Sequence, residues 1–505
     1  MAAARPLNVL LITSDQQRWD TLGCINPRIR TPHLDALAAR GILYDNAYTC
    51  NPVCTPARVS LLTGQYPSRH GCYTIGTALP DDYPTIPAAL RQAGYFTALC
   101  GKAHFTPCTN APLGEVPGIE APPKSFDMEF FKNWAGPYFG FEHARLFIAH
   151  TNERNAAGMH YGLWLRRQGV DPARFFGTGK YEDFGTWDLP EELHNSRWTA
   201  DETIAALDVA RTRRRPFFIW SSFQDPQNPC VVPRPWDSMY RPADMPEYAY
   251  RPGEFDDKPP FYAAYHEQRP QLGDPELDTS KNWYCVRGLT RMNPRATREL
   301  CANYYGMVSL MDHHIGRVLA ALEANGQVHN TVVIFTTDHG DYLGNHGLWW
   351  KGLPAYDDAQ RVPFIVAHPH CTTPGARSNA IQSLVDIGPT ALALAGQSRG
   401  PELQGIVQTA PWINAAFGAR AEALIEYRPT ESPFMQLTLV NERWKCVAYH
   451  QHPYGELYDR SNDPDQYHNL WNDPAHTAIK TELLRQMPAA QFVHQGPLRP
   501  RLAWA

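Results

Sequence analysis

Short apolar runs that end in polar residues recur along the first three quarters of the chain. Each run has the length of a buried strand, is rich in apolar residues, and is separated from the next by helical patterns. The runs cover residues 7–13, 96–100, 217–220 and 332–337. Because ligands gather beyond the carboxyl ends of parallel strands, we expect the charged residues that follow these runs to surround the functional site.

Helical periodicity with recognisable end signals predicts five helices, over residues 31–40, 56–64, 85–93, 199–211 and 295–324. In contrast, residues 105–194 and 226–293 are rich in Pro, Gly and aromatic side chains and show weak periodicity. Long irregular insertions usually shape a substrate site, although covering an edge of the sheet explains any single residue there equally well.

The pattern changes after about residue 376. A helix is predicted over residues 383–395, and alternating patterns that follow it indicate a small antiparallel sheet. These patterns cover residues 423–427, 435–441 and 444–450. We therefore predict an α/β fold: a large mixed, mostly parallel sheet flanked by helices (residues 1–375), with a smaller C-terminal α+β subdomain that carries the antiparallel sheet (residues 376–505).

Composition narrows the class of partner. The 505 residues are 43% hydrophobic, which is enough for one large domain and a smaller second one. The 46 basic and 51 acidic residues are spread along the chain and give a net charge of -5. No basic stripe suggests nucleic acid, so we expect a small substrate.

The cysteines and the N-terminus bear on location. Eleven cysteines are an odd number without a repeated C-x-x-C pattern, which fits neither a disulfide framework nor a zinc knuckle and favours a reducing compartment. The chain enters an apolar strand at Leu7, which leaves no room for a secretory signal, and no later stretch is long enough to cross a bilayer. We expect a cytoplasmic protein with no membrane partner.

The segment around Cys54 carries the most chemical information. Pro56 and the apolar periodicity after it predict a helix start, so Cys54 lies at or just before a helix N-terminus. Free backbone N–H groups and a partial positive charge attract an anion there, and Arg58 adds donors about one turn later. A bare cysteine in this position is a candidate for a thiolate of low pKa, while the alternative is an incidental buried cysteine.

The string Cys54-x-Pro56-x-Arg58, followed by Leu-Thr-Gly, resembles the signature of the sulfatase family, in which this cysteine is oxidised to Cα-formylglycine. The resemblance extends from the strand before Asp15 to the Gly-Glu-Leu-Tyr-Asp stretch at residues 455–459. It implies an alkaline phosphatase-like fold, a formylglycine-generating maturation enzyme as a partner, and hydrolysis of a small sulfated substrate.

Two pairs of ligand-type residues follow predicted strands: Asp15 with Gln16, and Asp338 with His339. Together with an oxygen of a formylglycine at Cys54, they make a mostly oxygen site that suits a hard or borderline divalent ion. The alternative is that the two aspartates cap loops or helices. By resemblance, the Gln16 and His339 combination is similar to the phosphonate monoester hydrolase branch, and Ca²⁺ and Mn²⁺ both remain open.

The resemblance also assigns cationic groups. Lys102 and His104 match the Lys-x-His pair that sulfatases place beside the formylglycine, and Lys351 matches the lysine that contacts the sulfate. It implies that the hydrated aldehyde attacks sulfur, that Lys102 and Lys351 neutralise the sulfate oxygens, and that His104 takes the proton that expels sulfate and restores the aldehyde. Any one of these residues alone is more often a solvated surface charge.

The chain departs from the family at Gln227, where a Pro-His element usually supplies a histidine that protonates the leaving oxygen. Gln227 contacts substrate at most, because an amide cannot supply a proton. Lys351 or His346 then acts as the acid, or the leaving group is acidic enough to need little help. His346 is accordingly predicted to lie at the substrate.

Three functions compete on these residues. Sulfate monoester hydrolysis ranks first because Lys102, His104 and Lys351 form a full cationic clamp. Hydrolysis of phosphonate monoesters or phosphodiesters with the same nucleophile and metal is the alternative that Gln16 and His339 favour. A catalytically silent binder of sulfated ligands is a third reading. The tail over residues 495–505 is a candidate arm to a second copy of the chain in a homo-oligomer.

Overall fold

A computed structural model describes residues 6–109, 116–180, 183–246, 250–267, 287–288, 293–398, 402–429 and 434–487. Its centre is an eight-stranded sheet, and four of its strands begin within one residue of the predicted apolar runs. The strands are β1 (Asn8–Ser14), β2 (Ile42–Tyr44), β3 (Phe96–Lys102), β4 (His143–Phe147), β5 (Phe217–Ser222), β6 (Thr331–Thr337), β7 (Ile365–Ala367) and β8 (Ala376–Ser378).

The strand order is β8-β2-β7-β6-β1-β5-β3-β4. Pairing is parallel throughout except at β7, which runs antiparallel to both of its neighbours. The carboxyl ends of β1, β3, β5 and β6 therefore meet along one edge, as expected. The predicted large mixed, mostly parallel sheet is confirmed.

Both faces of the sheet are buried, which explains why its strands are apolar at successive positions. Along β1, Val9 and Leu11 belong to one hydrophobic cluster, while Leu10 and Ile12 belong to another on the opposite face. Helices cover the two faces. They are α1 (Pro32–Arg40), α2 (Cys54–Thr63), α3 (Ile86–Gln92), α4 (Met159–Arg167), α5 (Asn195–Arg213), α6 (Pro294–Ala324) and α7 (Ile387–Leu394).

A four-stranded antiparallel sheet forms near the C-terminus, as expected. Its strands are β9 (Glu422–Tyr427), β10 (Gln436–Asn441), β11 (Trp444–Tyr449) and β12 (Gly455–Asp459), and helix α8 (Thr477–Gln486) follows. The last strand was not among the predicted ones. Apolar side chains of this sheet, such as Leu439, share one hydrophobic cluster with Val9 of the large sheet.

Two details differ from the sequence-based picture. The stretch predicted as an irregular insertion contains edge strand β4 and helix α4, so it extends the fold as well as covering it. Strand β8 pairs with β2 beyond residue 375, so the large sheet reaches past the predicted division, and the division itself stays a prediction. The predicted oligomer arm over residues 495–505 lies outside the described residues.

Short elements complete the description. Five helices of four to six residues are Pro67–His70, Met128–Asn133, Phe261–His266, Asp357–Gln360 and Thr409–Ile413. Three two-stranded pairings join Ala47–Tyr48 to Gln382–Ser383, Phe184–Trp187 to Cys230–Pro233, and Arg287–Gly288 to Leu348–Trp349. Within the described ranges, no helix is both long and apolar enough to span a bilayer.

Candidate active site

Helix α2 begins at Cys54, so the predicted position of this residue at a helix N-terminus is confirmed. Every side chain of α2 is buried, and Cys54 itself has no exposed surface. Burial raises the pKa of the thiol to about 11, and the nearby Asp15 carboxylate contributes to the rise. The expectation of a thiolate of low pKa is therefore wrong, because burial outweighs the helix end.

Arg58 joins the ends of four strands. Its guanidinium donates to Asp15 after β1 at 2.7 Å and to Asp338 after β6 at 2.9 Å. It also donates to the backbone oxygen of Lys102, the last residue of β3, at 3.1 Å and to Ser222, the last residue of β5, at 2.9 Å. Since Nε and both Nη atoms hold protein groups, Arg58 positions the carboxylates that surround Cys54.

The predicted metal-ligand residues do come together. Asp15, Cys54, Asp338 and His339 are all buried, and their ligand atoms lie within 4.8 Å of one another. His339 Nε2 is 3.2 Å from Cys54 Sγ. Burial lowers the pKa of His339, which leaves the neutral imidazole that a metal requires.

Gln16 completes this group. Its side-chain nitrogen donates to Asp341 at 2.6 Å and to Asn228 at 2.8 Å, which fixes the orientation of the amide. The amide oxygen is buried and has no hydrogen-bond partner among the described residues. A buried acceptor without a donor is costly, so this oxygen is suited to a cation. The donor set of two carboxylates, an amide oxygen and an imidazole fits one divalent ion.

Lys102 and Lys351 flank Cys54. The amine of Lys351 donates to Cys54 Sγ at 2.9 Å, and that of Lys102 lies 2.9 Å from Asp15 and 2.5 Å from the side-chain oxygen of Gln227. Although burial opposes the ionised form of Asp15, the charges of Lys102 and Arg58 hold the pKa of Asp15 well below its usual range. Although burial also opposes the charge of Lys351, Cys54 and Asp15 raise the pKa of that amine.

A glycine makes room for Lys102. The backbone of Gly101 has a φ of 109°, and a Cβ there would lie 1.9 Å from the backbone oxygen of Ser222. Strands β3 and β5 can approach this closely only without a side chain, so Gly101 lets Lys102 reach the strand-end cluster.

His104 lies just beyond β3 in a left-handed conformation, with φ 60°. The buried carboxylate of Glu120 accepts its backbone N–H at 2.7 Å and that of Phe105 at 3.0 Å. Its Nδ1 has no described partner. Burial and the charges of Lys102 and Arg58 lower the pKa of the imidazole well below its usual range, so His104 is neutral and able to accept a proton.

The two predicted substrate contacts differ in outcome. Gln227 reaches the site, with its side-chain nitrogen 3.7 Å from Cys54 Sγ. The His346 ring instead stacks on Tyr356 at 3.7 Å and lies 3.2 Å from Glu254. It lines a separate cleft with Arg18 and other polar residues, and the structure does not bring it to Cys54.

Sequence reasoning missed other members of the site. Ser222 accepts a hydrogen bond from Arg58, and Asn228 and Asp341 accept hydrogen bonds from Gln16. Glu120 holds the backbone of His104, and His150 contacts Gln227. Ser222 ends a predicted strand, and the strand-end rule could have found it. His150 follows strand β4 in a stretch with weak periodicity, where that rule had no predicted strand to act on.

Comparison with known proteins agrees with this geometry. The sequence matches the family described as "Sulfatase" over residues 7–143 and 144–397, and "N-sulphoglucosamine sulphohydrolase, C-terminal" over residues 344–492. An arylsulfatase of Clostridium perfringens is 28% identical, with 92% of this chain and 90% of that protein covered. A choline-sulfatase of Rhizobium meliloti is also 28% identical, with 97% and 88% covered.

Among solved structures, a phosphonate monoester hydrolase from Silicibacter pomeroyi is 26% identical and superposes with a TM-score of 0.75, covering 97% of this chain and 96% of that one. The family match spans most of the chain, and its motif residues gather in one buried cluster. The chain therefore belongs to the sulfatase family, within the alkaline phosphatase superfamily, and is a sulfuric ester hydrolase.

Proposed function

We propose that the protein hydrolyses sulfate monoesters with a formylglycine made from Cys54 as its nucleophile. The observation that carries the proposal is the position of Cys54 Sγ, which lies among Lys351, His339, Gln227 and Asp15 at distances between 2.9 and 3.8 Å. Formylglycine has oxygen in place of this sulfur, so Sγ marks where the reacting oxygen would stand.

The raised pKa of Cys54 supports conversion of the thiol. A neutral, buried thiol is a poor nucleophile. A hydrated aldehyde supplies two hydroxyl oxygens, one to attack sulfur and one to expel the sulfate afterwards. The proposal therefore gives Cys54 a role that the unmodified side chain cannot perform in this environment.

Asp15, Gln16, Asp338 and His339 would hold one divalent metal, Ca²⁺ or Mn²⁺. Bound there, the ion would favour the ionised form of an adjacent hydroxyl and polarise a sulfate oxygen. The chain supplies the orientation: Arg58 fixes the two carboxylates, while Asp341 and Asn228 fix the Gln16 amide.

Lys102 and Lys351 bind the sulfate group in this proposal. Both amines are buried and lie beside the nucleophile, where electrostatic stabilisation of an oxyanion is strongest. Neutral His104 accepts the proton that must leave for sulfate to be expelled. Its backbone is held by Glu120, so its ring position is set before substrate binds.

Hydrolysis of phosphonate monoesters is the second candidate function. Gln16 and His339 bring no negative charge to the metal, and the structural similarity to a phosphonate monoester hydrolase supports this alternative. The positive charges of Arg58, Lys102 and Lys351 outnumber the negative charges of Asp15 and Asp338. This balance suits a sulfate monoester and a phosphonate monoester equally, because both are monoanions. We rank sulfate first because the Lys102, His104 and Lys351 set resembles that of sulfatases.

Two measurements test the proposal together. The protein is produced with and without an active maturation enzyme, and mass spectrometry of the peptide that contains Cys54 reports the aldehyde or the thiol. Rates are then compared on 4-nitrophenyl sulfate and on a 4-nitrophenyl phosphonate monoester. We expect aldehyde only with the maturation enzyme, and faster turnover of the sulfate. Active protein with an unmodified thiol would refute the nucleophile, and a much faster phosphonate rate would reverse the substrate ranking.

A further inference from the structure

A histidine outside the predicted site joins it through Gln227. The side-chain nitrogen of Gln227 lies 3.7 Å from Cys54 Sγ and 3.1 Å from His150 Nε2. One small polar group therefore separates the nucleophile from an imidazole that the sequence did not mark. The mechanism above gives His150 no role.

The orientation of Gln227 is set by charge. Lys102 carries only hydrogen-bond donors, so the atom of Gln227 that faces it must be the amide oxygen. The amide N–H groups then point to Cys54 and to His150. In the resting protein, His150 Nε2 accepts from Gln227 and is free of a proton, and Nδ1 carries the proton toward Glu153 at 3.4 Å.

The segment that carries His150 is anchored to the turn that carries Gln227. The hydroxyl of Thr151 donates to the backbone oxygen of Gln227 at 3.0 Å, and the side chain of Gln224 donates to the backbone oxygen of Ala149 at 2.5 Å. Hydrogen bonds on both sides of His150 therefore fix the distance between its ring and the nucleophile.

The spacing suits a group that acts on the leaving oxygen. A nucleophile meets sulfur at about 3 Å, and a proton donor lies about 3 Å from the atom that it protonates. The proton donor must therefore be separated from the nucleophile by about the size of one small polar group. The Gln227 amide fills this space between Cys54 and His150. A leaving oxygen that replaces the amide N–H at His150 Nε2 would contact that nitrogen directly.

The two acids that the sequence suggested are less suited to this role. The amine of Lys351 lies 2.9 Å from Cys54 Sγ and binds the sulfate group in the proposed mechanism, and the ring of His346 lies elsewhere. In contrast, the side chain of His150 is 21% exposed, and that of Glu153 behind it is 46% exposed. Protons can reach this pair from solvent.

We propose that His150, supported by Glu153, is the catalytic residue that protonates the leaving oxygen, an inference that rests on the proposed ester hydrolysis. As the bond between sulfur and the leaving oxygen breaks, its electron pair stays on that oxygen, and the proton on His150 Nε2 moves to it. The alcohol departs neutral, and the imidazolium becomes a neutral imidazole. Water then returns a proton to the pair through its exposed side.

The charges around His150 agree with this cycle. Burial and the charges of Lys102 and Lys351 lower the pKa of His150 well below its usual range in the resting protein, while Asp15 opposes them. A bound sulfate group between the two lysines offsets their charge, which allows the imidazole to become protonated when substrate is present.

Dependence on the leaving group tests the proposal. The value of kcat/KM is measured for His150→Ala and wild type on a series of sulfate esters, from acidic nitrophenols to a weakly acidic alkyl alcohol. We expect a loss of about 10²- to 10⁴-fold on the alkyl ester and a change within about threefold on the most acidic ester. Added imidazole should restore part of the alkyl-ester activity of His150→Gly.

The matched control is His329→Ala, which removes an exposed histidine outside the site and should change neither rate. Thermal unfolding confirms that each variant is folded. An equal loss on every ester, or no loss on any, would overturn the role of His150. Wild-type protein that turns over phosphonate monoesters and no sulfate ester would overturn the proposed substrate class instead. The same leaving-group series, made with phosphonate monoesters, would then test whether His150 protonates the leaving oxygen.

Discussion

Two buried polar clusters of this protein differ in whether their hydrogen-bonding atoms all have partners. The Cys54 site combines charged side chains of both signs and still has unused atoms: Gln16 Oε1 and His104 Nδ1 have no partner among the described residues. The Glu456 cluster, formed by Tyr262, Tyr449, Glu456 and Tyr458, places three phenol donors on one carboxylate. Each tyrosine hydroxyl in it donates to Glu456.

The difference separates a site whose side chains are suited to bind a ligand from a cluster that stabilises the fold. Burial and the Glu456 carboxylate raise the pKa of Tyr262 and Tyr449, so their hydroxyls stay protonated and keep donating. The Glu456 cluster joins helix Phe261–His266 to strands β11 and β12. Changes in the Cys54 site should therefore reduce turnover, whereas changes in the Glu456 cluster should reduce stability.

The largest expected effect is on turnover. Lys351→Met removes the amine that contacts Cys54 and should lower kcat/KM on an aryl sulfate by about 10³-fold, as expected for the loss of one buried oxyanion donor. The exposed Lys132→Met is the control, and thermal unfolding should show both variants folded. Retention of more than a tenth of the wild-type rate would argue against the anion site.

The next effect is on stability. Glu456→Ala leaves three buried hydroxyls without their acceptor and should lower the free energy of unfolding by about 3 kcal/mol. Urea denaturation measures it, and kcat of the folded fraction should stay at the wild-type value. Glu442→Ala, at an exposed glutamate in the turn between β10 and β11, is the matched control. A loss of kcat with unchanged stability would contradict the conclusion that the Glu456 cluster contributes to stability and not to turnover.

Metal linkage gives a third, slightly smaller effect. Removal of divalent ions by a chelator should abolish activity, and Ca²⁺ or Mn²⁺ at about 100 times its dissociation constant should stabilise the protein by about 2.7 kcal/mol. Gln16→Ala removes the unpaired amide oxygen and should weaken this stabilisation. Equal stabilisation of the variant and wild type, measured by thermal unfolding, would remove Gln16 from the ligand set.

The smallest effect depends on pH. Burial raises the pKa of Asp225 to about 7, above its value in the unfolded chain, so the folded state binds this proton more tightly. The carboxyl therefore lowers stability as pH rises from about 4 to about 7. The stability of Asp225→Asn relative to wild type should therefore rise by about 1.4 kcal/mol between pH 6 and pH 8. A gain that is equal at both values would show that Asp225 does not titrate in this range.

Much of the fold and site follows from local patterns. The strands that end before Asp15 and Asp338 are apolar at successive positions because both faces are buried, which is why their ends could be located. Pro56 and the periodicity after it located the start of α2 within two residues. The rule that the carboxyl ends of parallel strands meet at one edge predicted the grouping of these residues, and family resemblance assigned their roles.

The rest depends on long-range geometry. His150 meets Gln227 across 77 residues of sequence, and its strand β4 is too short and too mixed in polarity to stand out. Because Gln227 cannot supply a proton, His346 is predicted to lie at the substrate as a candidate proton donor. Its left-handed backbone, with φ 54°, instead accompanies a ring stacked on Tyr356, and no local pattern indicated this turn.

The complete burial of Cys54 has a consequence for how the protein is made. Inside the folded chain, the first residue of α2 cannot enter the active site of another enzyme. The proposed oxidation of Cys54 would therefore have to take place before this helix is packed, in competition with folding. The fraction of competent molecules would then be fixed during synthesis, and a cell that makes the chain faster than it can be modified would accumulate a stable, correctly folded and permanently inactive population.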